Sequence, residues 1–272
     1  MSENREENKA VTMPAGKVEL LKRLTNAESE FFVLMSACTK LPYIVCDEET
    51  YDDEVLVFFE ESDARAAFER LMGEHIPVNV SKLTTKQMLF FFTSLFTMGV
   101  NALLIHYNGE KTIIQLTEIV KKKDKDQMPE GANWVENPEL HLCALYLAQT
   151  LRAPMKENIT DKVKEMQEEL SAFFRQGKFI FGLLQEGKGT PLVKLKDGKV
   201  YQPVFTDVLE FQRFNKENKF RPVVVDGANL QKVLPKEANG IILNMMSVAL
   251  PLMIGQMNAG QVSEAAKDMP ET

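Results

Sequence analysis

The feature that most constrains the fold is an order of patterns that occurs twice along the 272-residue chain. In the second half, apolar residues 179–181 predict a buried strand, and Asp197 and Gly198 between alternating runs predict a tight hairpin. In the first half, a strand at 31–35 precedes two strands that flank a longer, acidic turn. Each half begins with a helix and continues as helix, strand, helix, strand after the hairpin. This order predicts an α+β protein of two tandem, related modules, each with a mixed or antiparallel sheet, a β-hairpin and flanking helices.

Breaks in these patterns predict the limits of the two modules. The sequence Met-Pro-Glu-Gly at 128–131 interrupts the helical and strand patterns, and small, polar and acidic residues dominate the C-terminal end. Each module then has about 100 residues, a usual domain size. The predicted organisation is a disordered N-terminus at 1–15, a first module at 16–120, a linker at 121–137, a second module at 138–256 and a disordered tail at 257–272.

The third helix of the first module, at 88–98, is far more apolar than its counterpart at 230–237. An amphipathic helix needs about one apolar face, and the phenylalanines of this helix cover more than that. The excess is covered either by the other module or a helix at 137–152, or by a dimer or partner protein. The candidate interface residues are Met88, Phe91, Phe92, Leu95 and Phe96.

Charge and cysteine content exclude several classes of protein. The formal net charge of −7 argues against a nucleic-acid partner, because phosphate binding needs clustered Lys and Arg. The longest apolar run, at 88–104, falls short of the about 20 apolar residues of a membrane span, so no membrane association is expected. Three cysteines without a Cys-x-x-Cys pair favour a reducing compartment, and the polar N-terminal residues do not form a secretory signal. These features predict a soluble, cytoplasmic protein.

Two sequence motifs approach known binding loops, and each lacks an essential residue. Residues 182–188 match the start of a phosphate-binding loop, but Gly189 stands where a Ser or Thr must hold magnesium. Six carboxylates lie between 47 and 54, yet the glycine and glutamate of a calcium loop are not in place. The sequence therefore predicts no cofactor and no metal site.

The histidines and cysteines do not form a catalytic motif either. His75, His106 and His141 are isolated, which favours strand-end or helix-surface positions over metal ligation. No family signature surrounds Cys38 or His106, although the fold could still bring such a pair together. No catalytic residue is therefore predicted, and the chain is not expected to be an enzyme.

Part of the second module resembles the N-terminal domain of the SseB (enhanced serine sensitivity) family. The resemblance rests on Thr-Pro-Leu-Val at 190–193 and on Gly-Lys-Val-Tyr-Gln-Pro-Val-Phe-Thr-Asp at 198–207, followed by a helix and strand to 225. It covers residues 138–256, and the first module is similar more loosely, without the Asp-Gly turn or the Phe-Thr-Asp step. The family is bacterial and cytoplasmic and has no established catalytic residues. The resemblance therefore implies a fold and a compartment and adds no site residue.

These patterns together predict a non-enzymatic interaction or regulatory protein that acts through the surfaces of its modules. Its partner is another protein or a second copy of the chain. The alternative is a small-molecule-binding or catalytic protein with a site in the cleft between the modules. Convergent Lys, Asp, His or Cys side chains in that cleft would favour the alternative, and a solid apolar junction would count against it.

Overall fold

The computed structural model describes residues 15–26, 29–121, 134–152, 160–186 and 189–253, and shows the α+β fold that the sequence predicts. The helices are α1 (Ala15–Thr25), α2 (Glu61–Gly73), α3 (Thr85–Thr97), α4 (Pro138–Arg152), α5 (Thr160–Gln176), α6 (Val208–Phe214) and α7 (Leu230–Val233). The strands are β1 (Glu30–Ser36), β2 (Ile44–Cys46), β3 (Asp53–Phe58), β4 (Val78–Thr84), β5 (Ala102–Tyr107), β6 (Glu110–Gln115), β7 (Lys178–Leu184), β8 (Val193–Lys194), β9 (Val200–Val204), β10 (Phe220–Asp226), β11 (Gly240–Leu243) and β12 (Leu250–Met253). The predicted disordered tail, residues 1–14 and residues 122–133 of the predicted linker lie outside the described residues.

The first half forms one six-stranded sheet in the order β4-β1-β3-β5-β6, with β2 paired to the start of β3. Strands β3 and β5 run parallel, and the other pairs are antiparallel. Successive residues of a strand face opposite sides of the sheet. Val55 and Val57 of β3 therefore join the largest apolar cluster, while Leu56 and Phe58 pack in a second cluster with α2.

The second half follows the same order of pairings, divided between two sheets. Strand β10 pairs with β7, and β12-β11-β9-β8 form a separate sheet in which β9 and β11 run parallel. An isolated bridge between Ile180 and Phe205 connects β7 to β9. The order β10-β7-β9-β11-β12 thus corresponds strand for strand to β4-β1-β3-β5-β6, and β8 lies beside β9 as β2 lies beside β3.

The predicted Asp-Gly hairpin is confirmed between β8 and β9. Gly198 adopts a φ of +78°, which a glycine tolerates without steric cost. Asp197 instead uses its carboxylate, which accepts a hydrogen bond from the Lys199 amide at 2.9 Å. The Leu195 amide donates to the Lys199 carbonyl oxygen at 3.0 Å, so the turn contains the three residues 196–198 and not the two that an Asp-Gly pair predicts. In this longer turn Gly198 alone has a positive φ.

Helix α3 includes most of the predicted apolar segment 88–98 and begins three residues before it. At its start, the Thr84 amide donates to Oε1 of Gln87 at 3.0 Å, which forms a capping box. After its end, Gly99 has a φ of +82° and lies against α4. A Cβ atom at Gly99 would come within 2.7 Å of the Pro138 carbonyl oxygen, so glycine permits both the turn and the close approach of α4.

Helix α4 contacts both halves of the chain. It packs against α3 of the first half and α5 of the second, and its residues belong to an apolar cluster that includes residues of all three sheets. The sequence predicts an apolar stripe on one face of this helix. The buried residues occupy more than one face, as expected for a helix covered on several sides: Leu140, His141, Cys143, Ala144, Leu145, Leu147 and Ala148.

Candidate functional site

The predicted interface on α3 is largely covered by the chain itself. Met88, Phe91, Phe92 and Leu95 are buried in the largest apolar cluster, and Phe96 is half-buried against it. The ring of Phe31 on β1 stacks on that of Phe92, with centroids 5.7 Å apart, and meets Phe91 edge-on at 6.1 Å. The four buried side chains therefore do not offer a free surface to a partner, and Phe31 of the sheet in their own half covers two of them, Phe91 and Phe92.

A different pair of side chains on α3 is exposed. Leu89 is 67% exposed and Phe90 is 56% exposed. Lys86 and Thr93 lie one turn away on either side of this pair, because residues three and four apart on a helix are neighbours, and both are exposed. Lys86, Leu89, Phe90 and Thr93 are called the exposed stripe below.

The exposed stripe lies at the positive end of its helix. The first turn of α3 contains no acidic residue, so no carboxylate there offsets the helix dipole. Lys86 adds a further positive charge one turn before Phe90. Lys82, on β4, is also exposed and pairs with Glu30 on β1 at 2.6 Å. The stripe thus combines two exposed apolar side chains with a basic flank.

A second notable region is a buried polar cluster where the halves meet on α4. His141 is 1% exposed, so the predicted helix-surface position is wrong for this histidine. Its Nδ1 atom lies 3.2 Å from the Thr97 carbonyl oxygen at the end of α3 and 3.3 Å from Oδ2 of Asp207. Asp207 in turn caps α6, since its Oδ1 accepts a hydrogen bond from the Glu210 amide at 3.0 Å.

Hydrogen bonds extend this cluster to the loop before β12. The Thr206 hydroxyl donates to Asp207 at 2.8 Å and accepts from the Asn244 side-chain amide at 2.9 Å. The Ser247 hydroxyl donates to Oε2 of Glu210, whose other oxygen lies 3.5 Å from Nε of Arg213. These contacts satisfy most of the buried polar groups, as a folded interior requires.

The electrostatics of the cluster follow from burial and pairing. Burial alone would lower the pKa of His141, but the hydrogen bond and charge of Asp207 outweigh it and raise that pKa. For Asp207, burial acts to raise the pKa, and the hydrogen bond and charge of His141 bring it below the usual value. The pKa of Glu210 is raised by burial against the opposing charges of His141 and Arg213. A buried ion pair between His141 and Asp207 is the arrangement that these shifts describe.

The acidic turn before β3 is tied to the rest of the first half and to α4. Asp52 accepts hydrogen bonds from the side-chain amides of Asn101 (2.6 Å) and Gln115 (2.8 Å). Asp53 accepts one from the Tyr146 hydroxyl of α4 at 2.6 Å. In the part of the chain that the structure describes, no group of three His, Cys, Asp or Glu side chains could hold a metal ion.

The exposed stripe could have been separated from the core residues by sequence spacing alone. Positions 88, 91, 92 and 95 follow the i, i+3, i+4, i+7 pattern of a helix face that packs on a core. Leu89 and Phe90 fall outside that pattern. In contrast, the polar cluster around His141 carries no short-range signal, because Thr97 and Thr206 lie 44 and 65 residues away in the sequence.

Comparisons with known proteins leave the family of the chain open. No family model matches it, and no curated protein matches it. Tic22 from Plasmodium falciparum is a similar solved structure, 14% identical over 78% of this chain and 84% of that chain, with a TM-score of 0.22. Anabaena Tic22 (protein transport) is 12% identical over 83% of this chain and 91% of that chain, also with a TM-score of 0.22. A likeness at this TM-score supports no conclusion about function.

Proposed function

We propose that this chain is a non-enzymatic interaction or regulatory protein that binds a partner protein through the exposed stripe of α3. The observation that carries the proposal is the exposure of two adjacent large apolar side chains, Leu89 and Phe90. Removing apolar surface from water is favourable by about 25 cal/mol of free energy per Å². A partner that covers Leu89 and Phe90 would bind with this gain. Large aromatic side chains are also common anchors of protein interfaces.

The charges around the stripe favour a partner segment that is apolar and acidic. Lys86 and the uncompensated start of α3 both attract negative charge. An apolar side chain of the partner would pack between Leu89 and Phe90, and flanking Asp or Glu residues would face Lys86. Complementary charge of this kind increases the association rate and selects among partners.

The proposed compartment is the cytoplasm, and the proposed ancestry is a tandem SseB-like protein of bacterial type. Cys46 and Cys143 are free thiols, which is usual for proteins in a reducing compartment. The corresponding order of strand pairing in the two halves supports the proposal that they are related modules. None of the helices in the described ranges is both long enough and apolar enough to cross a membrane.

The alternative, a ligand site between the modules, has weaker support. Titratable side chains do converge there, as the alternative requires. His141, Asp207 and Glu210 are all buried, however, and their carboxylates and the Nδ1 atom of His141 already pair with one another or with a neighbouring hydroxyl. We therefore place the proposed function on the exposed stripe.

Photo-crosslinking from position 90 tests the proposed function. Phe90 is replaced by p-benzoylphenylalanine in the full chain, which is expressed in its own host and irradiated. We expect one discrete product whose crosslinked partner peptide is apolar and acidic, and we expect Lys86→Glu to reduce its yield. Replacement of Tyr51, which is 78% exposed on the acidic turn, is the matched control and should not give that product.

Two outcomes would contradict the proposal. A product with twice the mass of the chain would assign the stripe to self-association and not to a partner protein. The same products from positions 51 and 90 would indicate random collision.

A Leu89→Ser and Phe90→Ser double variant should lose the partner with a change in unfolding free energy within about 0.5 kcal/mol, since both side chains are exposed.

A further inference from the structure

We propose that His141 is a proton-dependent latch between the two halves of the chain. In its doubly protonated, charged form the ring holds the end of α3 against the start of α6, and loss of the second proton weakens that contact. The ring projects from α4 and lies between the Thr97 carbonyl oxygen of the first half (3.2 Å) and the Asp207 carboxylate of the second half (3.3 Å). This inference is independent of the proposed function of the exposed stripe.

The neighbours of Nδ1 require a proton on that atom. The Thr97 carbonyl and the Asp207 carboxylate can only accept hydrogen bonds. The Thr206 hydroxyl, 3.3 Å from Nδ1, uses its hydrogen to reach Asp207 and accepts from Asn244, so it too presents a lone pair to the ring. Nδ1 therefore remains protonated, and the ring gains or loses its second proton at Nε2.

Nε2 is the atom at which the latch responds to pH. It is buried and has no hydrogen-bond partner among the described residues, so nothing in this part of the structure fixes its protonation directly. The charge of the ring is fixed instead by the groups around it. These are Asp207 and Glu210 from the start of α6, Arg213 from its last turn, and the carbonyl oxygen at the negative end of α3.

Loss of the proton at Nε2 leaves Asp207 as a buried negative charge without its cation. Arg213 does not replace His141, because its Nε atom faces Glu210 at 3.5 Å. Removing one partner of a buried ion pair strongly destabilises the structure around the other. The contact that loosens is the one that passes through His141, between the ends of α3 and α6.

The pH range of the latch follows from the direction of the shift. The pKa of His141 in the folded chain lies above its ordinary value, mainly because Asp207 opposes the effect of burial. The stabilisation is therefore complete below the ordinary value of about 6.5 and is lost as the pH rises through the folded value. The contribution of Asp207, whose pKa is lowered, is lost only as the pH falls through its own folded value.

NMR of the full chain with labelled histidine tests the latch directly, because the chain has 3 histidines in all. We expect His141 to titrate above about pH 6.5, with Nδ1 protonated throughout. The amide signals of Gly99 and Thr206, one from each half, should move with the same midpoint. Hydrogen-exchange protection at these amides should fall by up to about tenfold per pH unit between about pH 6.5 and that midpoint and should level off above it.

The control is His106→Gln, which removes a histidine of the first sheet that has no contact with Asp207 and should leave the titration unchanged. His141→Gln should abolish the pH dependence of the Gly99 and Thr206 amides. If that variant does not fold, the wild-type titration still decides the question, and Asp207→Asn should lower the His141 midpoint. A His141 midpoint below about 6.5, or amides that do not follow it, would overturn the latch.

Discussion

At the scale of single residues, two buried glutamates differ in how their carboxylates are satisfied. Glu210 accepts a hydrogen bond from the Ser247 hydroxyl and faces Arg213. Glu54 is 1% exposed, and its Oε1 atom has no hydrogen-bond partner among the described residues. Burial, together with the charges of Asp47 and Asp52, raises the pKa of Glu54 to about 7. A buried charge without a donor destabilises the folded chain.

We expect Glu54→Gln to stabilise the chain by about 1–2 kcal/mol near pH 8 and to have little effect near pH 5. The folded chain binds this proton more tightly than the unfolded chain does, because the pKa is raised to about 7. Wild-type stability therefore falls as the pH rises from the ordinary value to about 7, and the neutral variant avoids that loss. Urea unfolding at both pH values measures the difference.

Asp52→Asn is the matched control for that substitution. Asp52 accepts two side-chain hydrogen bonds, so a neutral amide there loses an acceptor and should destabilise the chain. Because the charge of Asp52 also raises the pKa of Glu54, the loss should be smaller near pH 8 than near pH 5. An equal gain from Glu54→Gln at both pH values would show that the charge of Glu54 is not the cause.

At the scale of secondary-structure elements, the number of phenylalanines in α3 and their spacing along the helix indicate different things. Its number of phenylalanines predicted an excess of apolar surface, and an excess does exist. Met88, Phe91, Phe92 and Leu95 were predicted to form an interface, whereas the structure buries them on the core face, whose i, i+3, i+4, i+7 spacing they follow. Helix α7 was predicted over about 229–240 but covers only Leu230–Val233, because Pro235 cannot continue a helix.

The junction of α3 and α4 gives a prediction at the same scale. We expect Gly99→Ala to destabilise the chain by about 2–5 kcal/mol for two reasons. Alanine is strained at the positive φ of this position, and its Cβ atom would clash with the Pro138 carbonyl oxygen. Gly109→Ala is the control: Gly109 has a φ of +79° but no atom within 4 Å of an added Cβ, so it should cost only about 1–2 kcal/mol. Thermal unfolding of the two variants measures the difference. Equal losses would mean that the approach of α4 to Gly99 does not contribute.

At the scale of the whole molecule, one apolar cluster spans both halves through α4. Leu145 of α4 is fully buried in this cluster, and α4 also bonds to the first half through Tyr146 and to the second through Arg152. A shared core couples the unfolding of the parts that contribute to it. The prediction that the halves are related modules remains a prediction, to which the matching order of strand pairing lends support.

We expect the two halves to unfold in a single transition. Trp134, the one tryptophan of the chain, is adjacent to Val135, which packs on Phe205 of the second half. Its fluorescence and the circular dichroism of the whole chain should give the same midpoint in urea. Leu145→Ala should lower both midpoints together, at a cost of about 2–5 kcal/mol. Two separate midpoints would contradict the shared core.

The sequence by itself determined the local structure of this protein. Alternating runs predicted the strands and the Asp-Gly pair predicted the hairpin. The sequence left Thr84 or Thr85 as the cap of α3 and Thr206 or Asp207 as the cap of α6, and the structure has Thr84 and Asp207 there. Each of these signals acts within a few residues. Only the tertiary structure decided that α4 packs against both halves of the chain and that His141 is buried beside Asp207. Those outcomes depend on groups that are distant in sequence, and no local pattern encodes which distant groups will meet.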